Sequence, residues 1–187
     1  MMHGQDAPIV IVPYDVEWPA RFQVLAGGIR RALGDMALRI DHIGSTSVQG
    51  LAAKPIIDVQ VSVASLEPFD RLREPLERVG YVWRADNSDL TKRYFRESPG
   101  SPRTHVHVRI HGSWGEQFAL LFRDYLRAHP EMAERYAAVK RDLARQYAVD
   151  RVGYTAAKEP WIWETMRRAS VWSQETGWEP ERSDACR

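Results

Sequence analysis

The chain has 187 residues, 44% of them apolar and 27% charged, with a formal net charge of +1. That length supports a sizeable core, and the near-neutral charge gives no strong nucleic-acid signal. A single cysteine, Cys186, rules out a disulfide framework or a thiolate metal site, and no run approaches the ~20 apolar residues of a membrane span, so a cytoplasmic location is expected.

Residues 1–8 lack a basic segment followed by an apolar one, so they read as a flexible lead and not as a signal peptide. Residues 9–12 form a short apolar run, an edge strand or an extended arm. Pro19 suits the first turn of a helix, and Phe22, Leu25, Ile29 and Leu33 follow at helical spacing up to Gly34. Residues 38–63 read as strand, small-residue turn, strand. Leu38, Ile40 and Ile43 precede Gly44-Ser45-Thr46-Ser47, and Ile56, Ile57, Val59, Val61 and Val63 come after it. A second helix is expected over 67–80, with Phe69, Leu72, Leu76 and Val79 on one face and Pro75 awkward in its interior. Residues 81–83 are extended. Residues 90–97 and the alternating run 103–111 pair as an antiparallel hairpin.

From Gly115 the pattern turns helical. Phe118, Leu121, Phe122, Tyr125 and Leu126 form one stripe, and Met132, Tyr136, Val139 and Leu143 form another. A last helix over 154–172 carries Trp161, Ile162, Met166 and Trp172, and a polar, frayed tail is expected from Ser173. The order predicts an α+β fold: a mixed β-sheet flanked by helices over 9–114, with a C-terminal helical layer over 115–172. Together these make a single domain, 9–172, with flexible termini at 1–8 and 173–187.

The chemistry centres on Asp58, a carboxylate within an apolar strand. Such a group is costly to bury unless it is paired, hydrogen-bonded or bound to a cation. The hydroxyls and backbone N–H groups of Gly44, Ser45, Thr46 and Ser47 suit phosphate. Strand alternation puts Gln60 on the face of Asp58, where its amide oxygen could ligate a cation without adding charge. His105 and His107 also share a strand face and could bind one metal or flank a phosphate. His42 precedes the turn and either faces this site or is a hydrogen-bonded structural residue. Lys54 either neutralises a phosphate or pairs with Asp58. Arg93 meets phosphate or belongs to a solvated face with Lys92 and Arg96. Lys158, four residues after Tyr154, reaches the site if the last helix packs over it.

The run 42–61, HIGSTSVQGLAAKPIIDVQV, followed by HVHV at 105–108, resembles the GrpB family, also called UPF0157. The resemblance extends from about Ile9 to about Ser170, with Gln49 where proline is common. Members occur alone and, in actinobacteria, as a C-terminal domain fused to dephospho-CoA kinase. The family is assigned to the nucleotidyltransferase superfamily, which is marked by a Gly-Ser turn, an Asp-h-Asp/Glu strand and a third acid on a later strand. Gly44, Ser45 and Asp58 match that pattern. Gln60 departs from the second acid, and His105 and His107 stand near the third. The resemblance implies a metal-dependent nucleotidyltransferase moving a nucleoside monophosphate from a triphosphate to an unknown acceptor. Asp58 with His105 or His107 would be catalytic, and a divalent metal (Mg²⁺, Mn²⁺ or another) would be held by Asp58, His105 and His107, with His42 and Gln60 as further ligands. Gly44, Ser45, Thr46, Ser47, Lys54, Arg93 and Lys158 would bind the nucleotide or phosphorylated small molecule. The alternative is an accessory domain that binds a nucleotide or CoA-related ligand without turnover.

Overall fold

The computed structural model of the protein describes residues 8–185, so nearly all of the expected flexible lead, and Cys186, lie outside the described residues. Helix α1 (Trp18–Leu33) enters through Pro19 and ends at Gly34, and it buries Trp18, Phe22, Ala26, Ile29 and Leu33 on one face. Strand β1 (Arg39–Ile43) leads through a 3-10 turn at Ser45–Ser47 toward β2 (Ile57–Val63). Helix α2 (Asp70–Arg78) is shorter than the apolar pattern suggested. It carries Pro75 inside it, where the buried ring packs in place of a lost backbone bond. Strands β3 (Tyr81–Trp83), β4 (Lys92–Glu97) and β5 (Thr104–Ile110) follow. Three helices then close the chain: α3 (Trp114–Ala128), α4 (Pro130–Gln146) and α5 (Arg151–Thr176).

The sheet order is β1-β2-β5-β4-β3. Only β2 and β5 run parallel; β1–β2, β5–β4 and β4–β3 are antiparallel. The sheet is therefore mixed, as the element order predicted. The run 9–12 contributes a single bridge, Val12 to Ala53, instead of a full edge strand.

Register decides which side chains meet. On one face of the sheet Ile40, Val59, Val61, Val106, Val108 and Phe95 pack beneath α1 and α2. The other face presents Asp58, Gln60, His105 and His107, and here the C-terminal helices build a second apolar cluster around Tyr125, Leu126, Met132, Tyr136 and Met166. Strand alternation thus separates a greasy face from a polar one.

The tail departs from the expected fraying. Helix α5 continues to Thr176, and the chain then returns along the edge strand β1. The Ile40 amide donates to Ser183 Oγ (2.9 Å), the Ala185 amide donates to the Ile40 carbonyl (3.2 Å), and the His42 amide donates to Asp184 Oδ2 (3.0 Å). An edge strand left bare offers unpaired backbone groups, and the tail satisfies them here.

Candidate functional site

Asp58 faces the polar side of the sheet, opposite Ile43 of β1 and beside His105 of β5. His105 Nδ1 lies 3.1 Å and His107 Nε2 lies 3.3 Å from the same oxygen, Asp58 Oδ1. One ligand atom from each of the three residues falls within 4.8 Å of the others. Burial pushes the Asp58 carboxyl up, but hydrogen bonds and charge from the two imidazoles outweigh it and hold the group well below the usual carboxylate range. Burial lowers His107 against the pull of Asp58. Tyr94 of β4 sits beside both rings, 5.5 Å from His105 and 5.1 Å from His107 between centroids.

A cleft of about 350 Å³ opens over this cluster. Its floor is the turn Gly44-Ser45-Thr46 with Asp58, His105 and His107. Its far wall is helical: Tyr136 and Lys140 come from α4, and Tyr154, Thr155 and Lys158 come from α5. Lys54, in the connection before β2, completes the rim. Burial lowers Lys54, lowers Lys158 to about 8 and lowers Lys140 to about 7. Burial also raises the Tyr136 phenol well above its usual value, although Ser45 hydrogen-bonds to it.

Gly44 is required by this geometry. It has φ +70°, and a Cβ there would sit 2.7 Å from Asp58 Oδ2. Gly44→Ala is expected to drive Asp58 away from the histidines and to cost about 1–3 kcal/mol of stability, measurable by equilibrium urea denaturation.

Four sequence candidates, His42, Ser47, Gln60 and Arg93, do not line the cleft. His42 is opposite Val59 in register, so its ring enters the greasy face and stacks on Phe22 at 4.8 Å, with 4° between planes. Gln60 shares the face of Asp58 but is fully buried, and its amide donates to the Glu116 carbonyl at 3.3 Å. Arg93 pairs with Val108 and so points to the α2 side, where it meets Glu67 at 2.6 Å. Ser47 supports the turn, donating from Oγ to the Gly44 carbonyl at 2.5 Å, while Arg127 Nε holds its own carbonyl at 3.1 Å.

His42 has a structural task. The Thr46 hydroxyl donates to the Ile56 carbonyl (3.2 Å) and so accepts from His42 Nε2–H (3.0 Å), which fixes the turn from behind. Burial lowers the His42 pKa from 6.5 to about 4. The unfolded chain therefore takes up the proton first as pH falls. The contribution of His42 to stability is unchanged above pH 6.5 and is lost between 6.5 and 4, by about 3 kcal/mol at the lower end. His42→Gln is expected to flatten that loss, as read from denaturation at pH 7 and pH 4.5.

Lys140 is absent from the sequence candidates, and Tyr136 is read there only as part of an apolar helical stripe. They are four residues apart on α4, and the buried stripe is Met132, Ala133, Tyr136, Ala137 and Lys140, not the Val139 and Leu143 line. Helical spacing from Tyr136 was the available signal, but a lysine on a buried stripe runs against the usual burial preference.

The GrpB protein family model matches residues 8–168. A Mycolicibacterium paratuberculosis protein named dephospho-CoA kinase is 40% identical over 200 residues, covering 93% of this chain and 49% of that protein. The chain thus spans about half the length of that relative and of the other mycobacterial dephospho-CoA kinases it matches. A UPF0157 protein of Pseudomonas aeruginosa is 39% identical over 170 residues, covering 89% of this chain and 70% of that protein. The crystal structure of the conserved protein GrpB from Enterococcus faecalis superimposes with a TM-score of 0.78 at 33% identity, covering 87% of this chain and 99% of that one. Matched from residue 8 to residue 168 in sequence, and over most of its length in fold, the chain belongs to the GrpB family.

Proposed function

We propose that this protein is a metal-dependent nucleotidyltransferase that moves a nucleoside monophosphate from a nucleoside triphosphate to an acceptor hydroxyl. The observation that carries this reading is the convergence of Asp58, His105 and His107 beside the Gly44–Ser45 turn, facing Lys54, Lys140 and Lys158 across one cleft. One anionic oxygen and two imidazole nitrogens within 4.8 Å make a coherent donor set for a divalent cation. Imidazole suits Mn²⁺, Fe²⁺, Co²⁺ or Zn²⁺ better than Mg²⁺, which favours an all-oxygen shell. Such a metal supplies charge neutralisation and polarisation of a phosphoryl oxygen.

The chain's own groups do the rest. The lysines neutralise the phosphate chain, and the turn with Ser45 orients it. The acceptor oxygen bonds to the α-phosphorus, the bond between the α-phosphorus and the bridging oxygen to the β-phosphate breaks, pyrophosphate leaves, and the acceptor proton passes to water. The test uses each α-labelled nucleoside triphosphate with Mn²⁺ or Mg²⁺ and a cell extract as acceptor source. Label transfer that requires Asp58 supports the reading. Transfer that is indifferent to Asp58 overturns it.

A second reading is binding without turnover. Gln60 favours it, because this position carries no charge; its Nε2 donates to the Glu116 carbonyl, while its buried Oε1 has no hydrogen-bond partner among the described residues. The relatives named dephospho-CoA kinase make a CoA-related phosphorylated compound one ligand to test. Saturable binding with no pyrophosphate released supports this second reading over the first.

A further inference from the structure

We propose that the cleft reads the phosphate chain and not the base, so that its ligands are oligophosphates bound with little regard to the nucleoside attached. This rests on the nucleotide reading above and narrows it to a substrate class.

The charge balance of the cleft is the first support. Three ammonium groups line it, against one carboxylate that already accepts from two imidazoles. Lys140 is only 3% exposed, and its ammonium donates to the Ala52 carbonyl at 2.6 Å. Among the described residues the lysine found in an ion pair is Lys92, with Asp89 at 3.5 Å, and none of the three cleft lysines has a carboxylate partner. Lys140 is buried and Lys54 and Lys158 are half-buried, and cations so placed without counterions are unfavourable. A ligand with several negative charges close together relieves all three at once, and a phosphate chain is that ligand. The Tyr154 hydroxyl, on a residue 1% exposed, has no hydrogen-bond partner among the described residues and adds a donor at the same wall.

The aromatic rings are the second support. A base is normally recognised by stacking, yet each tyrosine near the site already faces an ammonium group. Tyr136 stacks on Trp161 at 4.3 Å and 4°, and Lys140 Nζ lies 4.5 Å from its centroid. The Tyr154 ring carries Lys54 Nζ at 5.1 Å and Lys158 Nζ at 4.8 Å. Tyr94 carries Lys92 Nζ at 5.3 Å. These rings hold the lysines in place by cation–π attraction and so organise the cleft for phosphate.

Calorimetric titration of the whole chain with inorganic tripolyphosphate, ATP, GTP, CTP, UTP and adenosine, with Mn²⁺ and with EDTA, tests this. Tripolyphosphate and the four nucleotides are expected to bind within about threefold of one another, with no saturable binding of adenosine. Lys140→Met and Lys158→Met are each expected to weaken tripolyphosphate binding about tenfold or more. Lys140→Met is also expected to raise the melting temperature of the unliganded protein, which separates lost binding from lost fold. One nucleotide binding about tenfold tighter than the other three and than tripolyphosphate overturns the inference while leaving the transferase reading standing. Lysine variants that bind as tightly as the parent also overturn it. If no phosphate compound binds, both readings fall.

Discussion

Asp58→Asn is expected to lower the proposed nucleotidyl transfer by on the order of 10³-fold or more while leaving the fold in place. Asp58 is the one carboxylate in the cluster with His105 and His107, and both imidazoles converge on a single one of its oxygens. Asparagine keeps the shape and offers a neutral carbonyl oxygen, but it removes the charge that a divalent cation needs. Among the described residues no second acid joins this cluster, and Gln60 on the same face is neutral. The structural cost is small by comparison. The Asp58 side chain is 26% exposed, and the hydrogen bonds it loses or weakens are worth about 1 kcal/mol net. Melting temperature, Mn²⁺ affinity and label transfer measured on the same preparation separate these effects. A variant that folds, loses Mn²⁺ and still transfers label at the parent rate would remove the metal from the reaction.

The parts of this site that were legible in the sequence follow from alternation. Asp58 stands out inside an apolar strand, and His105 and His107 share a face because strand side chains repeat every two residues. What alternation within one strand does not give is register between strands. His42 and Arg93 both lie next to site strands, and both point to the opposite face, since His42 meets Val59 and Arg93 meets Val108. A shift of one residue in either pairing would have turned them toward Asp58. The helical wall was hidden for a different reason. Lys140 occupies a buried helical position that an apolar pattern skips, and only its place across from the turn makes sense of it. The tail was hidden because its fixation depends on backbone bonds to β1 and on ionic contacts, neither of which leaves a periodic trace in the residues from 177 to 185.

Arg123→Met is expected to cost about 3–5 kcal/mol of stability. Arg123 is 1% exposed in α3 and ties three segments together. Its Nε donates to Asp124 Oδ1 at 2.7 Å, and one terminal nitrogen donates to the His42 carbonyl at 3.2 Å and to Asp184 Oδ2. That nitrogen also lies 3.8 Å from Asp41, which is fully buried. Methionine fills most of the aliphatic volume but strands the carboxylates. Asp41 retains Arg39 at 2.7 Å, whereas Asp184 is left with Arg127 at 3.6 Å. Burial already pushes the Asp184 carboxyl above its usual range despite both arginines. Without Arg123 the favoured escape is for Asp184 to leave, taking the tail from the β1 edge and freeing the His42 amide. The loss should therefore be coupled to Asp184. Asp184→Asn alone should cost less than Arg123→Met, and the double variant should recover about 1–3 kcal/mol relative to the sum of the two. Urea denaturation of the four proteins measures this directly, and additive losses would mean that Arg123 acts through His42 and Asp124 without holding the tail.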